Sequence, residues 1–144
     1  MLPFICPPGH ADSTIARAAH DLGYSPADVD RVVSGSTGTL MIVVNSVCGC
    51  AAGKARPGLA LALRHGVKPD HMASVFAGFD NDATAQARSY FTGMMPSSPS
   101  IALLRDGKLI YMLERRQIET SSADQIGAEL RRAFDTHCAK VTVQ

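Results

Sequence analysis

A chain of 144 residues is long enough to bury a real core and too short for two ordinary domains, so one domain spanning 1–144 is expected. Hydrophobic residues make up 46% and charged residues 19%, which excludes a disordered chain. The formal net charge of +1, from 14 Lys plus Arg against 13 Asp plus Glu, supplies no field for phosphate backbones or anionic lipid, so neither nucleic acid nor a membrane is an expected partner.

The opening Met-Leu-Pro-Phe-Ile-Cys-Pro-Pro-Gly lacks the basic start and long apolar run of a signal peptide or membrane span, and a cytoplasmic location is expected. Its prolines cannot sustain a helix, so residues 1–12 read as an extended arm that carries Cys6. From Ser13, the residues Ile15, Ala18, Ala19 and Leu22 recur at helical spacing, and Gly23 stops the run. A second helix is predicted with Ser25 as N-cap, Pro26 in the first helical position and Asp28 in the first turn, before Val29, Val32 and Val33.

Gly35 to Gly38 break the chain before Thr39–Ser46, a nearly continuous β-branched and apolar run that predicts a strand buried on both faces. After Cys48-Gly49-Cys50 comes an Ala- and Leu-rich stretch, Ala51 to Arg64, which favours helix, with a kink or break expected at Pro57. His71 to Gly78 reads as a second strand, and Asp80 caps a helix from Asn81 to about Phe91. A Gly, Met, Pro and Ser loop leads through Pro99 into two short strands, Ile101 to Leu104 and Leu109 to Leu113, joined across Asp106-Gly107, a strong hairpin signal. The last helix runs from about Ser122 to His137, burying Ile126, Leu130 and Phe134 with Ala123 completing the stripe.

The order βαβα, hairpin, helix predicts an α/β fold with a mixed central β-sheet flanked by helices. A right-handed crossover makes the first two strands parallel and the hairpin adds an antiparallel pair. With extra N-terminal helices in front, this is the arrangement of a thioredoxin-like domain.

The chemistry lies in the cysteines. Cys6, Cys48, Cys50 and Cys138 lack the spacing of a secreted disulfide framework, and in a reducing compartment closely spaced thiols point to redox chemistry or metal. A cysteine between a buried strand and a helix start faces unpaired backbone N–H groups and the positive end of the helix dipole, which stabilises a thiolate. Cys48 therefore reads as a nucleophile and Cys50, two residues on, as the resolving thiol. A disulfide across Gly49 closes a smaller ring than the two-residue spacing. It is expected to be strained and easily reduced, suiting isomerisation or small-thiol removal better than general reduction. Gly49 gives that ring the backbone freedom it needs.

Pro99, after Ser97-Ser98 and before a strand, is where a cis proline would bring its backbone against the sulfurs. Lys54 and Arg56 are candidate anion-attracting groups, but solvated helix-face charges read equally well and they stay outside the catalytic set. Cys138 reads either as a small buried residue closing the last helix or as an auxiliary redox thiol; Cys6 reads as a bystander or, in the alternative, as a thiol that traps a mixed disulfide or links two chains. The same cysteines also admit a non-catalytic reading, a metal-binding or redox-sensing protein, although no second closely spaced Cys or His pair completes a standard metal site.

Several blocks together carry a family likeness: Val43-Val44-Asn45-Ser46-Val47-Cys48-Gly49-Cys50-Ala51-Ala52-Gly53, Ala55-Arg56-Pro57, Val75-Phe76-Ala77-Gly78, Tyr90-Phe91-Thr92-Gly93, Pro96-Ser97-Ser98-Pro99-Ser100, and Ala133-Phe134-Asp135 ahead of His137-Cys138. Over roughly Ser25 to Cys138 the chain resembles the bacilliredoxin family. The resemblance implies a thioredoxin-like fold, a nucleophile at Cys48, a resolving thiol at Cys50 and a cis proline at Pro99, with Gly49 and Ser98 beside them. It also implies removal of bacillithiol or a similar small thiol from protein mixed disulfides, with weak isomerase or reductase activity. Such an enzyme needs no metal or organic cofactor. Its partners are protein mixed disulfides, a low-molecular-weight thiol and a reductant system. The Pro-rich start with Cys6 departs from the family's usual leading helix.

Overall fold

The computed structural model describes residues 26–46, 50–77 and 81–139. The helix read from Ser13, the caps at Ser25 and Asp80, and Cys6, Cys48 and Gly49 lie outside those residues. The elements in chain order are α1 (Pro26–Gly35), β1 (Thr39–Ser46), α2 (Cys50–Ala62), β2 (His71–Ala77), α3 (Asn81–Arg88), β3 (Ser100–Arg105), β4 (Lys108–Leu113), α4 (Arg115–Glu119) and α5 (Ala123–His137).

The four strands form one sheet in the order β2-β1-β3-β4. β1 pairs parallel with β2, which the α2 crossover requires, and antiparallel with β3, which pairs antiparallel with β4. The mixed sheet is the one expected from the element order. Alternation along β1 splits its side chains between two cores. Met41 and Val43 join Leu59, Ile101, Leu103, Ile126, Leu130 and Phe134 under α2 and α5. Leu40, Ile42 and Val44 join Val29, Val33, Ala83, Ala87 and Leu104 under α1 and α3. A strand with no solvent face has to be apolar at consecutive positions, which is why Thr39–Ser46 reads as it does.

Two glycine positions are set by close approach or backbone sign. In the hairpin, Asp106 and Gly107 have φ of 51° and 82°, the paired positive values of a two-residue turn whose twist matches that of the strands. Asp106 also accepts from the Gly38 N–H at 3.2 Å and donates its own N–H to the Gly38 carbonyl at 3.1 Å, tying the hairpin to the entry of β1. At the crossing of α2 and α5, a Cβ on Gly58 would lie 2.5 Å from Ile126 Cγ2 and 2.7 Å from Ile126 Cβ, so the absent side chain is what lets the helices meet.

Several expectations are corrected. α2 has no break at Pro57 and runs through it as one helix: the proline is on the exposed side, while Ala55, Leu59 and Ala62 are buried on the other and hold both halves against the sheet and α5. α3 ends at Arg88 rather than near Phe91, since Tyr90 and Phe91 donate three residues back, to Ala87 and Arg88, in a tightening turn that drops Phe91 into the core. On α1, Val29 and Val33 are buried while Val32 is 37% exposed. In α5, Gly127 and Ala133 are buried beside Ile126, Leu130 and Phe134, whereas Ala123 is half-buried. Ser122 caps that helix, accepting from the Gln125 N–H at 3.1 Å while Gln125 Oε1 accepts from the Ser122 N–H at 2.7 Å.

Between β4 and α5 the chain forms a further short helix, α4, which no hydrophobic period in the sequence signals. α4 is a single short turn in which the Glu114 N–H donates to Gln117 Oε1 at 2.8 Å and Ile118 is fully buried as its anchor. Among the described residues no helix is long and apolar enough to cross a membrane.

Candidate active site

β1 ends at Ser46 and α2 begins at Cys50, one residue earlier than the composition suggested. Cys50 is thus the first residue of the helix, and Cys48 lies in the three-residue link before it. The first-turn N–H groups of α2 have no carbonyl partner within their own helix, which makes this end of the helix electropositive.

Sheet register decides what else reaches this end. Val44, two residues from the end of β1, is opposite Ser100, the first residue of β3. The preceding Ser98–Pro99 peptide is therefore carried to the C-terminal end of β1, the end from which α2 departs. That peptide bond is cis, as the fold context leads one to expect, and Pro99 is buried. On the other side of β3, Ile101 is opposite Leu113, which delivers the residues just after β4 to the same region.

Three residues brace this turn. Arg88 Nη2 of α3 donates to the Ser97 carbonyl at 3.3 Å, and Ser100 Oγ donates to the same carbonyl at 3.0 Å. Arg115 Nη1 of α4 donates to the Ser98 carbonyl at 3.1 Å, and its backbone N–H donates to Ser97 Oγ at 3.5 Å. Beside the turn lies a small cavity lined by Arg88, Phe91, Met94, Met95, Pro96 and Met112 together with Ser97, and Met95 is 77% exposed at its edge.

Of the basic residues weighed from sequence, Lys54 donates from Nζ to the Glu119 carbonyl at 2.7 Å, linking α2 to α4. Arg56 is half-buried; desolvation lowers its pKa, and Nη1 has no hydrogen-bond partner among the described residues. Sequence reasoning missed Arg88 and Arg115. Both act on backbone carbonyls, which leave no mark in sequence, although Glu114-x-x-Gln117 ahead of Ile118 is a readable cap signal for α4.

Cys138 is not brought to this end. It caps the C-terminus of α5, is 7% exposed, and lies beside Thr39 at the first position of β1. The eight residues of β1 separate it from the α2 end by roughly 25 Å at about 3.3 Å per residue. Burial pushes its thiol pKa up, the opposite of what a redox nucleophile needs. Around it, Thr39 N and Oγ1 donate to Asp70 Oδ2 at 3.0 and 3.1 Å, and the Asp70 N–H donates back to Thr39 Oγ1 at 3.0 Å. The cysteine closes a structural corner, and the auxiliary-thiol reading has no support from its position. Among the described residues no group of three or more His, Cys, Asp or Glu side chains could hold a metal ion.

A mixed four-stranded sheet, helices on both faces, a cysteine opening the helix after the central strand and a cis proline opening the antiparallel neighbour define a thioredoxin-like α/β domain. Solved structures agree on the fold. Fasciola hepatica thioredoxin superposes with a TM-score of 0.56 at 16% identity, covering 78% of this chain and 94% of that one. Malassezia sympodialis thioredoxin gives 0.52 at 15% identity, covering 76% and 86%.

The family described as disulphide isomerase matches residues 12–138. A bacilliredoxin of Koribacter versatilis is 59% identical over 110 residues, 76% of each chain. One of Halalkalibacterium halodurans is 45% identical over 129 residues, 90% of this chain and 88% of that protein. One of Geobacillus kaustophilus is 49% identical over 117 residues, 81% and 80%. The chain belongs to the bacilliredoxin family of thiol–disulfide oxidoreductases.

Proposed function

We propose that this chain removes a small thiol, bacillithiol or one like it, from protein mixed disulfides, with Cys48 as nucleophile and Cys50 as resolving thiol. The observation that carries the reading is the junction itself: β1 stops at Ser46, α2 starts at Cys50, and the β1–β3 register brings the Ser98–Pro99 turn to that end of the sheet. An electropositive helix start favours the ionised form of a nearby thiol, and ionisation is what makes it a nucleophile.

In the first step the Cys48 thiolate attacks the small-thiol sulfur of the mixed disulfide. A Cys48–small-thiol disulfide forms, and the protein leaves as a thiolate that takes a proton from solvent. In the second step the Cys50 thiolate attacks Cys48 Sγ, expelling the small thiol and closing a Cys48–Cys50 disulfide. The substrate disulfide has gained two electrons and the enzyme has lost two, so a cellular dithiol or thiol reductant must reopen the ring. Gly49 gives the ring its freedom, and the Ser98 and Pro99 backbone lines up the substrate chain. The reading needs neither metal nor organic cofactor and suits a reducing cytoplasm. Weak isomerase or reductase activity follows from the same two steps. Cys138 has no part in them.

The test is release of the small thiol from a mixed-disulfide protein under saturating reductant, comparing wild type with Cys48→Ser and Cys50→Ser. Release abolished in Cys48→Ser and slowed or stalled in Cys50→Ser is the expected result. Equal release by all three overturns the assignment, and stoichiometric metal in protein purified under reducing conditions would turn it toward a metal-binding role.

A further inference from the structure

We propose that Arg115 is a positioning residue of the oxidoreductase site, coupling the cysteine-bearing helix α2 to the Ser98–Pro99 turn through the short helix α4. The inference rests on the function proposed above and adds to it a residue that acts through the Ser98 carbonyl.

The connection is continuous. Lys54 lies four residues after Cys50, one helical turn along α2, and its Nζ donates to the Glu119 carbonyl at 2.7 Å. The Glu119 carboxylate accepts from Arg115 Nε at 2.5 Å, and Arg115 Nη1 donates to the Ser98 carbonyl at 3.1 Å. One planar guanidinium thus serves a carboxylate and a backbone carbonyl at once, along two fixed directions. The Arg115 N–H adds a bond to Ser97 Oγ at 3.5 Å. Ile118, fully buried, fixes α4 to the core, so the guanidinium works from an anchored base.

An exposed Arg–Glu pair four residues apart contributes little to global stability, and these side chains are 54% and 46% exposed. What the pair does hold is the carbonyl of the residue before Pro99. A loop fixed in advance costs less to order when a protein chain docks against it. The effect of Arg115 therefore falls on substrate binding.

The experiment measures steady-state kinetics on a protein mixed disulfide for wild type, Arg115→Ala, Arg115→Lys and Glu119→Gln, with Arg131→Ala as a surface control and thermal melts for each. Arg115→Ala is expected to raise KM by about tenfold, equivalent to roughly 1.4 kcal/mol, with kcat changed less than about twofold and an unaltered melt. Glu119→Gln, which leaves the guanidinium present but no longer held by a charge, gives a smaller rise. Arg115→Lys recovers only part of the loss, because an ammonium lacks the two-directional fork. A purely structural arginine would lower the melting temperature without splitting KM from kcat. An active wild type with Arg115→Ala matching it in KM overturns this inference alone; full recovery in Arg115→Lys overturns the fork argument within it. A wild type that turns over no mixed disulfide overturns the functional reading and this inference together.

Discussion

Replacing Gly58 by alanine puts a methyl group where α2 and α5 touch. The added Cβ meets Ile126 Cγ2 at 2.5 Å, Ile126 Cβ at 2.7 Å and the Ala123 carbonyl oxygen at 3.0 Å. Carbon atoms rest at about 3.5–4.0 Å, so the helices must separate by about 1 Å, and a gap of that size forfeits a quarter to a half of the dispersion energy along the interface. Ile126 is β-branched and 1% exposed, so it cannot swing aside. Overpacking costs about 1–3 kcal/mol, and a stiff neighbour places this site at the upper end. Against it stands the gain of about 0.8–1 kcal/mol from alanine's better helix propensity. The net expectation is a loss of about 2 kcal/mol.

Gly53, five residues earlier in the same helix, is the internal control. Among the described residues a Cβ there meets nothing within 4 Å, so the propensity gain remains and Gly53→Ala is expected to stabilise by about 0.5–1 kcal/mol. Urea unfolding of both variants followed by circular dichroism measures the difference, expected near 2.5–3 kcal/mol. In a thermal melt Gly58→Ala should fall by about 4–8 °C, from about 2–4 °C per kcal/mol for a chain of this size. Gly58→Ala as stable as Gly53→Ala would refute the close-approach argument and the α2–α5 packing behind it.

Ser122→Ala removes the hydroxyl that accepts from the Gln125 N–H and should cost about 1 kcal/mol in the same urea assay. The raised thiol pKa of Cys138 predicts slow alkylation of the native protein at about pH 8, with rapid alkylation once urea unfolds it, read by peptide mapping. Because its folded pKa lies above the unfolded one, the stability it contributes is complete below the ordinary value near 9.0 and drains away as pH rises through the folded value, and Cys138→Ala should abolish that alkaline loss. Asp30 behaves in the opposite sense: hydrogen bonds from Tyr90 at 2.6 Å and Gln86 at 2.8 Å hold its carboxyl below the usual 3.8. Its contribution is present above 3.8 and lost as pH falls through the folded value, so Tyr90→Phe should flatten the acid limb of a stability–pH curve.

The sheet was legible because its signals are local or absolute. A run such as Leu40 to Val44 can only be a strand with two dry faces, and Asp106-Gly107 can only be a turn that accepts two positive φ values. The apolar stripe of Ile126, Leu130 and Phe134 announced α5 in the same way, since a helical period is read from nearby residues. What escaped depends on partners distant in sequence. The turn after Arg88 follows from Phe91 being pulled into the core, and α4 is a single turn, too short to show a period.

The site divides the same way. The cysteine pair and Pro99 stand out by residue type beside a strand end. The braces from Arg88 and Arg115 do not, because their acceptors are the carbonyls of Ser97 and Ser98, and any residue supplies a carbonyl. Cys138 could be assigned only once Thr39 was seen beside it, at the far end of β1.

The most direct measurement is the intact mass of the Cys50→Ser variant after exposure to a protein mixed disulfide of the small thiol, followed by peptide mapping. With the resolving thiol gone, one small-thiol adduct should accumulate on Cys48, and Cys48→Ser should collect none at the junction. An adduct that maps to Cys6 or Cys138 instead, or an unmodified Cys50→Ser chain beside a substrate that has lost its small thiol, would contradict the assignment of Cys48 as the nucleophile.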